Sequence, residues 1–336
     1  MPQIKQRGGA HMDNARPVRW FGVSTIPWVV VVILGVVGCA SSSPPETPSA
    51  PPPQTTSTVA APSTTTSSES LAFARYYSAV EARLVGEGLL RTDGGRRDAP
   101  FGAATLAANF ERIALFNEHT LTGGRFVAQQ SPSTLHRWET HVRVQAHFGA
   151  SVDATQRAAD RAILNTYVTR LARLTGHPIS VVNTGGNFHV LYLNRDEQVA
   201  AGALVRQILP RVNDATVRAV ETMSRSIFCS VYAFSESGAR PVYVAAMAII
   251  RHEHPDLIRR SCVHEEIAQG LGLPNDSPAA RPSIFNDDDE FALLTPHDEF
   301  LLRMLYDARL QIGMTPDTAR PTVRRIAAEY LGGGSS

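Results

Sequence analysis

The chain has 336 residues, and 32 Lys and Arg against 31 Asp and Glu leave a formal net charge of +1. With 43% hydrophobic residues and a mean hydropathy of -0.11, it is neither a wholly disordered chain nor a polytopic membrane protein. Because the charge is balanced and the body of the chain holds no basic tract, we do not expect nucleic acid as a partner. We expect no nucleotide as a partner either.

The N-terminal segment predicts a lipoprotein signal peptide. Basic residues precede an apolar stretch from Trp20 to Val37, which is the layout of a secretory signal. The stretch ends in Val36-Val37-Gly38-Cys39, which resembles a bacterial lipobox, where the cysteine is lipidated and becomes the new N-terminus. An uncleaved anchor is the alternative, since the stretch is just long enough to span a bilayer. We predict removal of residues 1–38 and lipidation of Cys39.

The predicted lipid on Cys39 implies a place in the bacterial cell envelope. No aspartate follows this cysteine, which favours the outer membrane, with the protein facing the periplasm. Residues 39–70 are rich in Pro, Ser, Thr and Ala, a composition that cannot bury a core and favours extended backbone. They are interpreted as a tether, and a tail without a spacer role would have the same composition. A globular domain is expected over 71–330 and a flexible tail over 331–336.

Strands and helices alternate along the predicted domain and then give way to helices. This order predicts an α+β (α/β-like) fold with a mixed sheet of about four or five strands. Periodicity and capping residues predict an N-terminal helical lobe over 71–90 and 103–116, strands at 141–148, 179–182, 188–193, 227–234 and 242–250, and helices at 153–176, 196–209 and 255–271, followed by helices that begin after Thr295 and Thr315.

The helix predicted over 255–271 carries the most specific polar pattern in the chain. Glu265 and Gln269 are four residues apart and share a face, and Gly272 ends the helix. The spacing resembles the zincin motif His-Glu-x-x-His, whose extended form adds a glycine turn and a third ligand. In that register Glu265, Gln269 and Asn275 take the ligand positions and Glu266 takes that of the general base. All three ligand histidines are replaced.

This ligand set leads to two functional hypotheses. Zinc prefers imidazole and thiolate, so Glu265, Gln269 and Asn275 predict poor zinc affinity, while Asp276 would add charge for a harder divalent cation. The favoured hypothesis is a binding or structural protein without standard peptidase activity, with an envelope protein as its partner. The alternative is a metal-dependent hydrolase in which Glu266 activates water. An ordinary charge pair on a helix surface would also explain Glu265 and Glu266.

Two cysteines and several histidines remain. Cys229 and Cys262 are predicted to form a disulfide, because the signal implies an oxidising compartment, and two buried thiols are the alternative. The histidines near the motif lack a ligand partner at helical spacing and are interpreted as solvated or locally bonded; they are His252, His254 and His264. His297, in the first turn of its helix, could approach the Glu265 region.

Short motifs along the chain add a family resemblance. They are Arg75-Tyr76-Tyr77, Asn109-Phe110, Leu135-His-Arg-Trp138, Phe148-Gly149-Ala150, Thr175-Gly-His-Pro178, Asn187-Phe188-His189-Val190, Cys262-x-x-Glu-Glu-x-x-Gln269 and Phe285-Asn-Asp-Asp288. Together they resemble the bacterial family known as domain of unknown function 2927, over about 75–330. Its members are often lipoproteins. The resemblance implies a zincin-like fold and carries no established reaction.

Overall fold

The computed structural model of the chain describes residues 18–21, 66–122, 125–235, 240–286 and 288–332. Most of the predicted signal peptide, Cys39, tether residues 39–65 and residues 333–336 of the predicted tail lie outside the described residues. Within the described ranges, no helix combines the length and the apolar composition that crossing a membrane requires.

A central mixed sheet organises the fold. Its seven strands follow the order β1-β8-β9-β7-β5-β6, with β4 paired to β9. All neighbours are parallel except β8 and β9. The strands are β1 (Val18–Phe21), β4 (Arg137–Trp138), β5 (Val142–Phe148), β6 (Ile179–Val181), β7 (Phe188–Leu193), β8 (Cys229–Ser235) and β9 (Val242–Arg251). The α+β prediction is confirmed: β5 to β9 are the five strands expected from the sequence, and β1 and the two-residue β4 are additional to the four or five strands predicted.

A separate antiparallel hairpin lies outside the central sheet. It consists of β2 (Phe116–Thr122) and β3 (Arg125–Pro132). Neither strand was expected, because the sequences FNEHTLT and RFVAQQSP lack a sustained alternation of apolar and polar residues.

The helices of the N-terminal lobe and the long helix α3 follow local sequence signals. The lobe contains α1 (Ser68–Gly86), which buries its apolar face, and α2 (Ala103–Ala114). Helix α3 (Ala154–Thr175) begins after Asp153, whose side chain accepts a hydrogen bond from the Gln156 N–H. It ends at Gly176, whose φ of 66° is the left-handed conformation that glycine adopts without strain.

The predicted helix over 196–209 is wrong in one respect, because it is divided in two. The observed helices are α4 (Arg195–Val199) and α5 (Gly202–Ile208), followed by α6 (Asp214–Glu221), which was not expected. Helices α5 and α6 pack together at Gly202, where a Cβ atom would collide with the Glu221 carboxylate. Helical periodicity does not encode this contact, because it joins separate segments of the chain.

Three helices complete the domain: α7 (Asp256–Gly272), α8 (Pro296–Leu305) and α9 (Pro316–Gly332). Thr295 caps α8 with Pro296 in the first turn, as the sequence predicted. The sheet separates two hydrophobic cores. The larger core holds residues of α1, α2, α3, α7, α8 and α9, whereas the smaller lies under α5 and α6 on the opposite face.

Candidate functional site on an enclosed helix

Helix α7, which carries the acidic motif, is enclosed by the rest of the domain. Every residue from Ser261 to Gly272 is buried. The helix packs against β4, β8, β9 and α3. Gly270 permits this close approach, because a Cβ atom there would lie 2.5 Å from the Phe188 ring and 3.1 Å from Val231. The motif is therefore part of the interior of the domain.

A disulfide fixes α7 to the sheet. Cys229, the first residue of β8, is bonded to Cys262 in the second turn of α7. The predicted pairing is confirmed. A crosslink of this loop length stabilises a folded domain by about 2–4 kcal/mol. It also holds the helix beside the strand just before the acidic pair.

The acidic pair lies next to this disulfide. Glu265 is 1% exposed and Glu266 is 0% exposed. One carboxylate oxygen of each lies with Cys229 Sγ in a group whose members are all within 4.8 Å of one another. A disulfide sulfur is not a thiolate, so this group offers two carboxylates as ligands to a metal ion. The pair is thus an interior feature and does not form a charged helix surface.

The amide positions of the motif have different surroundings. Gln269 Nε2 donates to Asp276 Oδ1 at 3.3 Å, and both residues are buried. Asn275 instead contacts α2 and β3: its Nδ2 donates to the Arg112 carbonyl at 2.8 Å, and its Oδ1 accepts from Gln130 Nε2 at 3.1 Å. The structure brings Gln269 and Asp276 together, while both amide atoms of Asn275 are engaged by other partners.

His264 occupies a different side of α7. Its ring stacks on Tyr167 of α3, with centroids 4.0 Å apart and planes 8° apart. The Leu294 N–H donates to His264 Nδ1 at 3.1 Å, so the neutral imidazole carries its proton on Nε2. Burial, with smaller contributions from Arg170 and Arg260, lowers the His264 pKa to about 3. The ring is therefore a neutral hydrogen-bond donor at neutral pH.

The other histidines near the motif have local partners. His252 lies beside Arg259, and burial lowers its pKa. His254 packs edge-on against the Tyr77 ring, 4.4 Å between centroids. His297 is fully buried, with Nε2 3.1 Å from Asn109 Nδ2. Its ring also packs edge-on against Phe101, and its Nδ1 lies 3.5 Å from Asp298 Oδ1, so these contacts of His297 are with the helical lobe and with α8 itself.

Three cavities in the described part of the chain lie away from the acidic motif. One of about 610 Å³ lies between α2 and α9, and one of about 490 Å³ lies near Tyr306. A third, of about 420 Å³, lies between α3 and α7 and is lined in part by His264. None of these three is lined by Glu265, Glu266 or Gln269. His264, which directly precedes Glu265, lines the third cavity, so a small ligand in that cavity can reach its side chain.

Apart from His264, which was interpreted as a solvated or locally bonded histidine, sequence reasoning did not single out the residues around this third cavity. Tyr167 and Arg170 are three apart on α3, and Arg260 and His264 are four apart on α7, so each pair shares a helix face. That spacing was a usable signal within each helix. It could not show that the two faces meet, because α3 and α7 are distant in the sequence.

The comparisons with known proteins decide the family. The family model described as "Protein of unknown function (DUF2927)" matches residues 103–325. The chain belongs to this family. The match begins at α2 and ends within α9, so it contains α7 and all strands of the central sheet except β1. Neither the curated proteins nor the solved structures compared with the chain give a match.

Proposed function

We propose that this DUF2927 protein is a lipid-anchored envelope protein with a zincin-like fold that acts by binding and lacks standard zinc peptidase activity. The observation that carries the proposal is the enclosure of the motif: Glu266 and Gln269 are 0% exposed and Glu265 is 1% exposed. A general base must lie within hydrogen-bond reach of the water it activates, beside a bound substrate. Glu266 is fully buried and lines none of the three cavities, so the structure offers it no contact with a bound peptide through them.

The ligand chemistry agrees with this reading. Zinc sites in proteins are built mainly from imidazole and thiolate. The motif supplies carboxylates and amides, and the Asn275 amide is already bonded to Arg112 and Gln130. The neighbouring sulfur of Cys229 is held in the disulfide. The set is therefore poorly suited to Zn²⁺.

One observation favours a metal-dependent hydrolase as a second candidate. The buried Gln269 Oε1 has no hydrogen-bond partner among the described residues, and the same side chain contacts Asp276. Buried polar atoms are normally satisfied, and amide and carboxylate oxygens suit a hard divalent cation. In this second candidate Gln269, Asp276 and Glu265 would hold the cation, and Glu266 would be the general base.

Elemental analysis and a cleavage assay separate the two candidates. Full-length protein extracted in detergent is expected to contain no stoichiometric metal, to keep its melting temperature in chelator, and to leave casein intact. Glu266→Gln, with Glu87→Gln of the exposed end of α1 as the matched control, should change none of these readouts. Stoichiometric metal together with casein cleavage that Glu266→Gln abolishes would establish the hydrolase instead.

The anchor rests on the predicted lipobox and on the composition of residues 39–70. At about 3.1 Å per residue, an extended tether of about 30 residues would hold the domain up to about 90 Å from the lipid surface. Processing before Cys39 would also remove β1, which pairs with β8. Mass spectrometry of the membrane-extracted protein tests the anchor: a lipidated N-terminal Cys39 is expected, and an intact N-terminal segment would contradict it.

A further inference from the structure

The cavity between α3 and α7 combines a polar wall with an apolar wall. Its volume of about 420 Å³ lies within the range of about 300–1,000 Å³ typical of small-ligand sites. The apolar wall is formed by Ala162 and Ile163 of α3 and by Leu293, from the segment before α8. Arg170, Arg260 and His264 contribute the polar wall.

The two arginines of this wall differ in their charge balance. Arg170 is held by Glu299, with Nη2 2.6 Å from Oε1, and it also donates to the Leu294 carbonyl. The exposed Arg260 side chain has no ion pair or hydrogen bond with another of the described residues. Among the described residues that line the cavity, Arg260 is therefore the cation whose charge no ion pair balances.

His264 supplies a fixed donor beside that charge. Its residue is 8% exposed, it lines the cavity, and its Nδ1 already accepts from the Leu294 N–H. The Nε2–H is the remaining polar atom of the ring, and the stacked Tyr167 ring restricts its orientation. Arg260 and His264 are four residues apart on α7 and share a face. An exposed cation and a neutral hydrogen-bond donor thus line the same cavity.

We infer that this cavity binds the carboxylate of a small ligand that carries an apolar substituent, and the inference rests on the proposed binding function. One carboxylate has one negative charge and two acceptor oxygens, which match Arg260 and the His264 Nε2–H. A phosphate, with up to two negative charges, would exceed the single uncompensated cation. The substituent would contact Ala162, Ile163 and Leu293. The carboxylate belongs either to a free acid or to the C-terminus of a peptide.

N-acetyl-leucine and its amide form a matched pair of probes, since they differ only in the carboxylate. Saturation-transfer NMR and calorimetric titration of the full-length protein in detergent are expected to show saturable binding of the acid and none of the amide. An acetylated tripeptide ending in leucine identifies the source: binding at least as tight as that of the single residue indicates a peptide C-terminus, and weaker binding indicates a free acid.

Variants locate the binding. Arg260→Gln should weaken binding of N-acetyl-leucine by about tenfold or more, because it removes a charge-assisted hydrogen bond. Arg211→Gln, an exposed arginine before α6, is the matched control and should bind like the wild type. Equal binding of acid and amide, no binding of either, or an unchanged affinity in Arg260→Gln would overturn the inference. The proposed function is tested by metal content and casein cleavage, which these binding experiments do not measure. Failure of the inference can therefore be distinguished from failure of the proposed function.

Discussion

The Tyr167 hydroxyl donates to the backbone carbonyl of His264 at 2.6 Å while the two rings stack. This pair joins α3 to α7 beside the acidic motif. Tyr167 is 2% exposed, and burial raises the pKa of its phenol well above the usual range, so the hydroxyl stays protonated as a donor. The contact therefore fixes the position of His264 at the wall of the cavity.

Tyr167→Phe should lower the free energy of unfolding by about 1 kcal/mol, the usual net contribution of one hydrogen bond. The ring stack remains, because phenylalanine keeps the aromatic plane. Chemical denaturation measures the change, and Tyr76→Phe, whose ring is only half-buried, is the control. A loss in the Tyr76 variant equal to that in the Tyr167 variant would contradict a specific role for the bond to His264.

The disulfide makes a separate contribution to stability. The double variant Cys229→Ser, Cys262→Ser should lose about 2–4 kcal/mol in free energy of unfolding, since the crosslink restricts the unfolded chain. Incubating the wild type with a reductant that opens the bond should give a similar loss. Cys39→Ser, outside the described residues, should leave the unfolding of the domain unchanged. Equal stability of the double variant and the wild type would contradict this expectation.

Short-range sequence signals, above all helix-capping residues, predicted much of the fold. Asp153 and Gly176 delimit α3, and Thr295 starts α8, because capping depends on residues a few positions apart. The burial of Glu265 and the engagement of Asn275 by Arg112 could not be predicted in the same way. Both depend on α2, α3 and the sheet closing around α7, which are contacts between segments far apart in the sequence.

Acid should destabilise the domain through its buried histidines. Burial lowers the pKa of His136 and of His189 to about 4, and that of His264 to about 3. The unfolded chain takes up these protons near pH 6.5, while the folded domain does so only at lower pH. Their contribution is thus complete above about pH 6.5 and is lost as the pH falls towards 4 and below.

A variant isolates one of these groups. His189 Nδ1 lies 2.9 Å from His147 Nε2 on the neighbouring strand, and the His147 pKa is lowered as well. His189→Gln removes one titrating group and should flatten the fall in unfolding free energy between pH 6.5 and 4. Burial raises the pKa of Asp160, so protonation of this residue favours the folded domain as the pH falls and opposes the effect of the histidines. Asp160 is present in both proteins, so the effect of His189 is read from the difference between the variant and the wild type. Identical pH profiles would contradict the assignment.

The approach of α7 to the sheet can be tested at Gly270. A Cβ atom there would lie 2.5 and 2.6 Å from atoms of the Phe188 ring, which is itself buried, so Gly270→Ala forces the helix and strand apart. Overpacking of this kind costs about 1–3 kcal/mol, more than the gain in helix propensity. Gly86→Ala in the last turn of α1 meets no atom within 4 Å and should be neutral or slightly stabilising. Thermal denaturation of both variants measures the difference, and a Gly270 variant as stable as the Gly86 variant would mean that α7 does not lie this close to the sheet.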